Sequence, residues 1–319
     1  MASYTKPWLT YDDQLALLES RGFTIKDRQH ALIALKSMGY YRLNGYWYPF
    51  RIRENGHREG LDIPRNDVHP GTVFDDIVEI CNFDRKLRVA IWEAIERVEN
   101  ALRVAIAYQI GQYGPFAYLD KHTLSSGAGH PSQHDPNVTF FEEFCAKMHA
   151  SLQTSREDFV QHFRKNYDGR LPIWAAVEIW DFGMLSRFYQ LIKPEDKLAI
   201  STTFGITNAR TISSWLQALN ILRNYCAHHG RLNRRMFAIA PGFPKIDPFR
   251  HLRVRSDQEK HRLYPQLAIL AYLLRAIAPE SSWRTTIIDL FREPRKPANI
   301  NLNEYGIPED WLQQTIWTH

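Results

Sequence analysis

Apolar residues along most of this chain recur at the three- and four-residue spacing of amphipathic helices. The clearest example is the stretch 72–110, which holds no Gly or Pro and predicts a long helix capped by Thr72. Other helices are predicted after Thr10, up to Gly39, and at 139–152, 156–166, 172–192, from Pro194, from about 208, at 262–278 and at 283–291. The pattern predicts an all-α protein.

The stretch 40–58 departs from this pattern, because aromatic side chains alternate there with arginines that include Arg42 and Arg51. Two Asn-Gly pairs favour turns, so a small ribbon is predicted. Aromatic rings beside arginines could stack unpaired bases and hold phosphates. They could equally fill a core, and the sequence leaves both interpretations open.

These changes in the hydrophobic pattern divide the chain into three predicted regions. We expect an N-terminal helical and aromatic module at 1–70, a helical core at 71–235 and a C-terminal helical appendage at 236–319. A Pro/Gly-rich connector at 241–248 opens the appendage, and the basic stretch 250–255 is a candidate RNA contact.

The amino-acid composition excludes few of the possible functions. The 319 residues are 44% hydrophobic with a formal net charge of +5, which favours an anionic partner such as nucleic acid. The 3 cysteines are odd in number and widely spaced, so we expect a reduced, cytoplasmic protein without a disulfide framework. No apolar run approaches the roughly 18 residues of a membrane span.

Two histidine-containing segments raise the question of a metal. The loop predicted at 111–138 carries His122, His130 and His134, and Cys226 stands close to the pair at 228–229. Neither segment has the paired ligand spacing of a structural zinc site. We therefore predict no metal and no other cofactor.

The segment most suggestive of chemistry is RNYCAHH at 223–229. It places the fixed cation Arg223, the amide of Asn224 and the imidazole of His228 within two turns of one predicted helix. An arginine fork fits phosphate oxygens, and an imidazole can exchange a proton near neutral pH. These groups suit cleavage of a phosphodiester without a metal.

Helical geometry groups these side chains only in part. At about 100° per residue, Asn224 and His228 share a face that Arg231 would continue, while Arg223 lies off that line. We expect the helix to stop near Gly230. His229 diverges from His228 by about 100°, so it is assigned a supporting or structural role.

The segment resembles the Arg-Asn-x3-His signature of HEPN-domain proteins, and in particular of the Abi (abortive infection, AbiD/AbiF-like) family. The resemblance extends over most of residues 6–235. It is carried by QLALLESRGF at 14–23, LKSMGYYRLNGYWYPF at 35–50, FDRKLRVAIWEAIERVENALR at 83–103, LPIWAAVEIWDFGMLSRFY at 171–189 and SWLQALNILRNYCAHHGRLNR at 214–234.

The resemblance implies a HEPN-like helical bundle that acts as a metal-independent endoribonuclease in phage defence or a toxin–antitoxin system. It further implies a homodimer, and an antitoxin that could be RNA or protein. Arg223, Asn224 and His228 would be catalytic, with support from His229 and from two further arginines, Arg231 and Arg234.

Motif analogy adds Arg97 and Arg103 of the long helix to Arg42 and Arg51 as candidate RNA contacts. Two alternatives to an enzyme remain. One is a non-catalytic RNA-binding module whose motif arginines hold phosphate while His228 is structural. The other is a structural helical dimer in which Asn224 and His228 satisfy each other's hydrogen bonds.

Overall fold

The computed structural model describes residues 5–54, 63–132, 135–292 and 300–318. Within these ranges the chain forms helices, short 3-10 turns and one two-stranded ribbon, so the all-α prediction is confirmed. The helices are α1 (Tyr11–Ser20), α2 (Arg28–Met38), α3 (Tyr40–Trp47), α4 (Phe74–Gly111), α5 (Phe140–Thr154), α6 (Asp158–Asn166), α7 (Ile173–Ala176), α8 (Phe182–Leu191), α9 (Pro194–Thr203), α10 (Ala209–Ala227), α11 (Arg250–Arg253), α12 (Asp257–Lys260), α13 (Tyr264–Ile277), α14 (Trp283–Phe291) and α15 (Thr315–Thr318).

The first helix begins, and the second ends, where the sequence predicts. Thr10 caps α1 by accepting the backbone N–H of Asp13. The α2 helix ends at Gly39, whose φ of 82° is a conformation that glycine adopts without a Cβ clash.

The aromatic stretch that follows is part helix and part ribbon. Its first residues form α3, and strands β1 (Arg51–Glu54) and β2 (Ile63–Val68) then pair antiparallel with a bulge between Arg51 and Arg53. Positions 55–58 of the predicted ribbon lie outside the described residues. The Trp47 ring is buried against Phe23, with ring centroids 5.4 Å apart.

The long helix α4 is the central element of the fold. It runs for 38 residues without a break, and α3, α10, α13 and α14 all pack against it. Its predicted cap is wrong: Val73 occupies the N-cap position, and the Thr72 hydroxyl donates to the His69 carbonyl at 2.7 Å instead. The hydroxyl is thus used within the preceding turn.

The single helix predicted at 172–192 is interrupted. α7 passes into a 3-10 turn at Val177–Ile179, and α8 starts afresh after Asp181, which caps it by accepting the Met184 N–H at 2.7 Å. Arg103 of α4 donates to the carbonyls of Val177 and Trp180 at 3.0 and 2.8 Å. Those carbonyls are therefore satisfied despite the interruption.

The C-terminal region packs onto the same core. α13 lies against α4 and α10, and the indole of Trp283 on α14 donates to the Ala90 carbonyl at 2.6 Å. Contacts cross both predicted boundaries, near residues 70 and 235, and the division into three regions stays a prediction. No helix in the described part of the chain is both long and apolar enough to cross a membrane.

Candidate functional site

The candidate site lies at the C-terminal end of α10. The buried face of this helix includes Trp215, Leu219 and Cys226, and it packs against α4, α8 and α9. The helix ends at Ala227 with His228 as its C-cap, so it stops earlier than Gly230, where the sequence predicts its end. Arg231 consequently lies beyond the helix and does not continue its polar face.

The chain leaves α10 through a Schellman motif. The Gly230 N–H donates to the Tyr225 carbonyl at 2.7 Å, and the His229 N–H donates to the Cys226 carbonyl at 3.2 Å. His229 occupies the left-handed position with a φ of 55°, where glycine is usual. Its carbonyl accepts a hydrogen bond of 2.9 Å from Arg42 of α3, which brings that predicted RNA contact beside the motif.

Asn224 and His228 are both exposed and share one face of α10. Their side chains form no hydrogen bond with each other in the part of the chain that the structure describes. Arg223 is half-buried, with its guanidinium 5.1 Å from the centroid of the Trp92 ring on α4. Its Nε is buried and has no hydrogen-bond partner among the described residues.

Arg223 and His228 do not point in the same direction within one chain. A separation of five helical residues rotates the second side chain by about 140° and moves it about 7.5 Å along the axis. The Arg223 guanidinium lies against Trp92 of α4, whereas His228 is exposed at the end of α10. One copy of the chain thus presents the two groups on different sides of α10.

A buried carboxylate holds the segment that follows the helix. Asp84 of α4 is fully buried and accepts the backbone N–H groups of Leu232 and Asn233 at 2.7 and 3.1 Å. Arg88, one turn along α4, lies 3.3 Å from Asp84 and donates to the Gly230 carbonyl at 3.0 Å. The ion pair therefore fixes three backbone positions of the loop that follows His228, at Gly230, Leu232 and Asn233.

Two buried tyrosines complete this network. The hydroxyls of Tyr46 on α3 and Tyr305 near the C-terminus donate to Asp84 at 2.9 and 3.2 Å. Burial raises the pKa of Asp84, and the hydrogen bonds from the Leu232 N–H and Tyr46 oppose that rise. Burial likewise raises the pKa of Tyr46, with the neighbouring Asp84 adding to the effect.

The arginines after the helix have separate environments. Arg231 is half-buried, and burial lowers the pKa of its guanidinium, with a further contribution from the charge of Arg235. Arg234 pairs with Glu304 at 2.9 Å, and the same carboxylate accepts the side-chain amide of Asn233 at 2.7 Å. Arg234 is thus engaged by the C-terminal region.

Three other predicted RNA contacts have partners away from the motif. Arg97 forms an exposed ion pair with Glu93 one turn earlier on α4. Arg103 pairs with Glu99 on the same helix, besides its bonds to the 177–180 turn. Arg51 donates to the Asn44 side chain at 2.7 Å.

Among the described residues, no group of three His, Cys, Asp or Glu side chains is arranged to hold a metal ion. His134 of the histidine-containing loop lies outside those residues. Cys226 is buried, and burial raises the pKa of its thiol to about 12. The thiol at the centre of the motif is therefore protonated at neutral pH.

Sequence patterns missed three side chains that support the site. These are Asp84, Arg88 and Trp92 of α4, of which the first two are buried. A signal existed, because Asp84 falls in the buried helical series between Ile77 and Ile91. A charge at such a position requires a buried partner.

The fold and the site define an all-helical protein with an exposed amide and imidazole at the end of a core helix. A family model described as Abi-like protein matches residues 33–233, which is more than half of the chain. The chain belongs to the Abi-like protein family, and its resemblance to the Abi family is confirmed. No curated protein and no solved structure matches the chain.

Proposed function

We propose that this protein is a metal-independent endoribonuclease of the HEPN type that acts in abortive infection or as the toxin of a toxin–antitoxin system. Membership of the Abi-like family supports the role in phage defence. The observation that carries the nuclease proposal is the exposed Asn224–His228 face of α10, joined to a loop that buried Asp84 fixes.

In the proposed reaction, the ribose 2′-oxygen attacks the adjacent phosphorus and gives up its proton to a base. The bond from phosphorus to the 5′-oxygen breaks, and that oxygen takes a proton from an acid. The products are a 2′,3′-cyclic phosphate and a 5′-hydroxyl. The exposed imidazole of His228 serves as one of these two proton-transfer groups.

The remaining motif residues have electrostatic and positioning roles. Arg223 neutralises charge on the phosphoryl oxygens, an effect worth about 3 kcal/mol in comparable sites. Its contact with the Trp92 ring holds the guanidinium against α4. Asn224 orients the substrate phosphate, while His229 and Arg231 support the helix end and the local positive charge.

A homodimer would complete the site. Because Arg223 and His228 diverge by about 140° on one helix, a second copy related by a twofold axis would supply the group that the first copy directs elsewhere. An equimolar mixture of R223A and H228A subunits tests this arrangement. Recovery of cleavage when the two inactive variants are mixed supports a composite site, and an inactive mixture contradicts it.

The decisive experiment measures cleavage of a varied panel of labelled RNAs in excess chelator. We expect the wild-type protein to leave 2′,3′-cyclic phosphate ends and to spare a substrate with a 2′-deoxyribose at the cut position. His228→Ala should abolish cleavage while RNA affinity persists. His122→Ala, at an exposed histidine of another loop, is the matched control and should cleave normally.

Two outcomes would overturn the proposal. Unchanged cleavage by His228→Ala would remove the imidazole from the reaction. Complete inactivity of the folded wild-type protein on every RNA would leave the non-catalytic alternatives, and RNA affinity would then separate a binding module from a structural dimer. Co-expression with neighbouring transcripts or proteins would identify the antitoxin, which the proposed toxicity requires.

A further inference from the structure

A cleft of about 650 Å³ lies beside α10, one to three turns before the exposed end of the helix. Its walls come from α5, α8, α10 and the segment after the motif. The side chains that matter for its chemistry are Phe140, Lys147, Arg187, Gln190, Gln217 and Asn220. Its size falls within the range of small-ligand sites, roughly 300–1,000 Å³.

The cleft and the candidate catalytic residues share one face of α10. At about 100° per residue, Gln217, Asn220, Asn224 and His228 fall within about 80° around the helix. Gln217 and Asn220 line the cleft, and Asn224 and His228 continue the same stripe to the helix end. A single polar track therefore runs from the cleft to the imidazole.

The two walls of the cleft follow this track. On one side, the chain returns antiparallel to α10 after the motif: the Phe237 ring packs on Tyr225, and Gly242 accepts a hydrogen bond of 2.7 Å from the Trp215 indole. Ile239, between these two anchors, lines the cleft. On the other side, α8 comes close to α10 at Gly183.

Gly183 sets the width of the cleft on that side. A Cβ at this position would lie 3.1 Å from the Asp181 carboxylate and 3.5 Å from the side-chain oxygen of Asn220. A larger residue would press on both groups. The absence of a side chain leaves the Asn220 amide accessible from the cleft.

The lining contains amides that lack internal partners. Gln190, Gln217 and Asn220 are half-buried, and their side chains make no hydrogen bond within the described ranges. Each amide offers a donor and an acceptor, which is the combination that matches the edge of a nucleobase. Because these amides reach solvent at the cleft, their donors and acceptors are free to bind a polar ligand.

Cations and an aromatic ring lie at the same cleft. Lys147 is exposed, 3.7 Å from Glu143, and Arg187 pairs with the same carboxylate while standing 5.8 Å from the Phe140 ring. Glu143 thus faces two cations, and a second carboxylate, that of Asp181, also lines the cleft. The exposed ammonium of Lys147 suits a phosphate, and the Phe140 ring suits a base.

We propose that this cleft binds one unpaired nucleotide of an RNA strand whose neighbouring phosphate lies at Asn224 and His228. The inference rests on the proposed endoribonuclease function and assigns it a base-reading subsite. Gln217 and Asn220 hydrogen-bond the base edge, and Lys147 attracts the adjoining phosphate. The identity of the base in the cleft then governs which linkages are cut.

Two measurements test the subsite, one with cleavage and one without. The double variant Gln217→Ala/Asn220→Ala should lose the wild-type base preference next to the cut and raise KM about tenfold or more, with kcat nearly unchanged. In the His228→Ala background, the same substitutions should weaken binding of fluorescent hexaribonucleotides and abolish discrimination among the four homopolymers. Gln161→Ala on α6 is the control and should change neither property.

The possible outcomes distinguish failure of the subsite from failure of the proposed endoribonuclease function. If the wild-type protein cleaves RNA but the double variant keeps its base preference, KM and affinity, the subsite is wrong and the nuclease stands. If no RNA is cleaved but the double substitution still weakens hexaribonucleotide binding, the subsite stands without catalysis. A folded protein that neither cuts nor binds RNA overturns both.

Discussion

The guanidinium of Arg223 lies 5.1 Å from the centroid of the Trp92 ring, so the cation of the motif rests on an aromatic side chain of α4. A ring in this position attracts the cation and restricts its rotamers. Since Trp92 is 39% exposed, the pair lies at the surface where a substrate phosphate could reach it.

Trp92→Leu should therefore lower the kcat/KM for RNA cleavage by between about twofold and thirtyfold, the range expected for loss of a cation–π contact. The matched control is Trp174→Leu, at a tryptophan that is 56% exposed on α7. Initial rates on one RNA substrate check the expectation. Equal rates for Trp92→Leu and the wild type would show that the ring does not position the arginine.

Asp84→Ala should destabilise the protein by about 3–5 kcal/mol, because it leaves Arg88 buried without its partner and strips two backbone N–H groups of their acceptor. Urea unfolding measures the loss. Asp12→Ala removes an exposed ion pair with Arg28 and should cost less than about 1 kcal/mol. Similar losses for both variants would contradict the anchoring role.

Two substitutions of His229 distinguish the backbone conformation required at this position from a chemical role of the imidazole. His229→Gly should keep the free energy of unfolding within about 1 kcal/mol of the wild type, because glycine adopts a φ of 55° readily. His229→Val should cost about 1–2 kcal/mol, since a β-branched residue resists the left-handed region. Unfolding and cleavage assays on both variants check this, and lost cleavage in a stable glycine variant would assign the imidazole a direct role.

Stability should fall at alkaline pH. Burial raises the pKa of Cys226 from 9.0 to about 12, and burial raises the pKa of Tyr189 from 10.0 to about 12. Both groups stay neutral when folded but ionise at lower pH when unfolded. Their contribution is complete below pH 9 and is lost as the pH rises toward 12.

The check is the free energy of unfolding measured in urea at several pH values from 7 to 11. Cys226→Ala should reduce the alkaline slope by up to about 1.4 kcal/mol per pH unit, the effect of one proton. Exposed Lys36→Ala serves as the control substitution. A slope that Cys226→Ala does not alter would show that the thiol already ionises in the folded protein.

Helical periodicity was enough to predict most elements but not their ends. Thr10 and Gly39 follow local capping rules, so α1 and α2 agree with the prediction. The end of α10 does not, because a histidine occupies the left-handed position where a glycine is expected and Gly230 comes one residue later. Asp181 shows the same limit, since its capping role lies hidden inside an apolar run.

The candidate catalytic residues at the end of α10 could be predicted from the sequence, because they lie within one short segment of the chain. The residues that hold this segment could not be predicted. Asp84 lies 148 positions from Leu232 and acts through backbone hydrogen bonds, which leave no pattern in the sequence. The cleft beside Asn220 likewise combines α5, α8 and α10. Only tertiary packing brings these segments together.

Glu304 binds Asn233 and Arg234 directly, and Tyr305 donates to Asp84, the carboxylate that holds the Leu232 and Asn233 backbone. Synthesis proceeds from the N-terminus, so a ribosome that has just translated the histidine pair has yet to make either residue. The chain must therefore grow by 76 more residues, from His229 to Tyr305, before the last contacts that hold this loop exist. Under the proposed nuclease function, this order of synthesis keeps unfinished chains from forming the complete site.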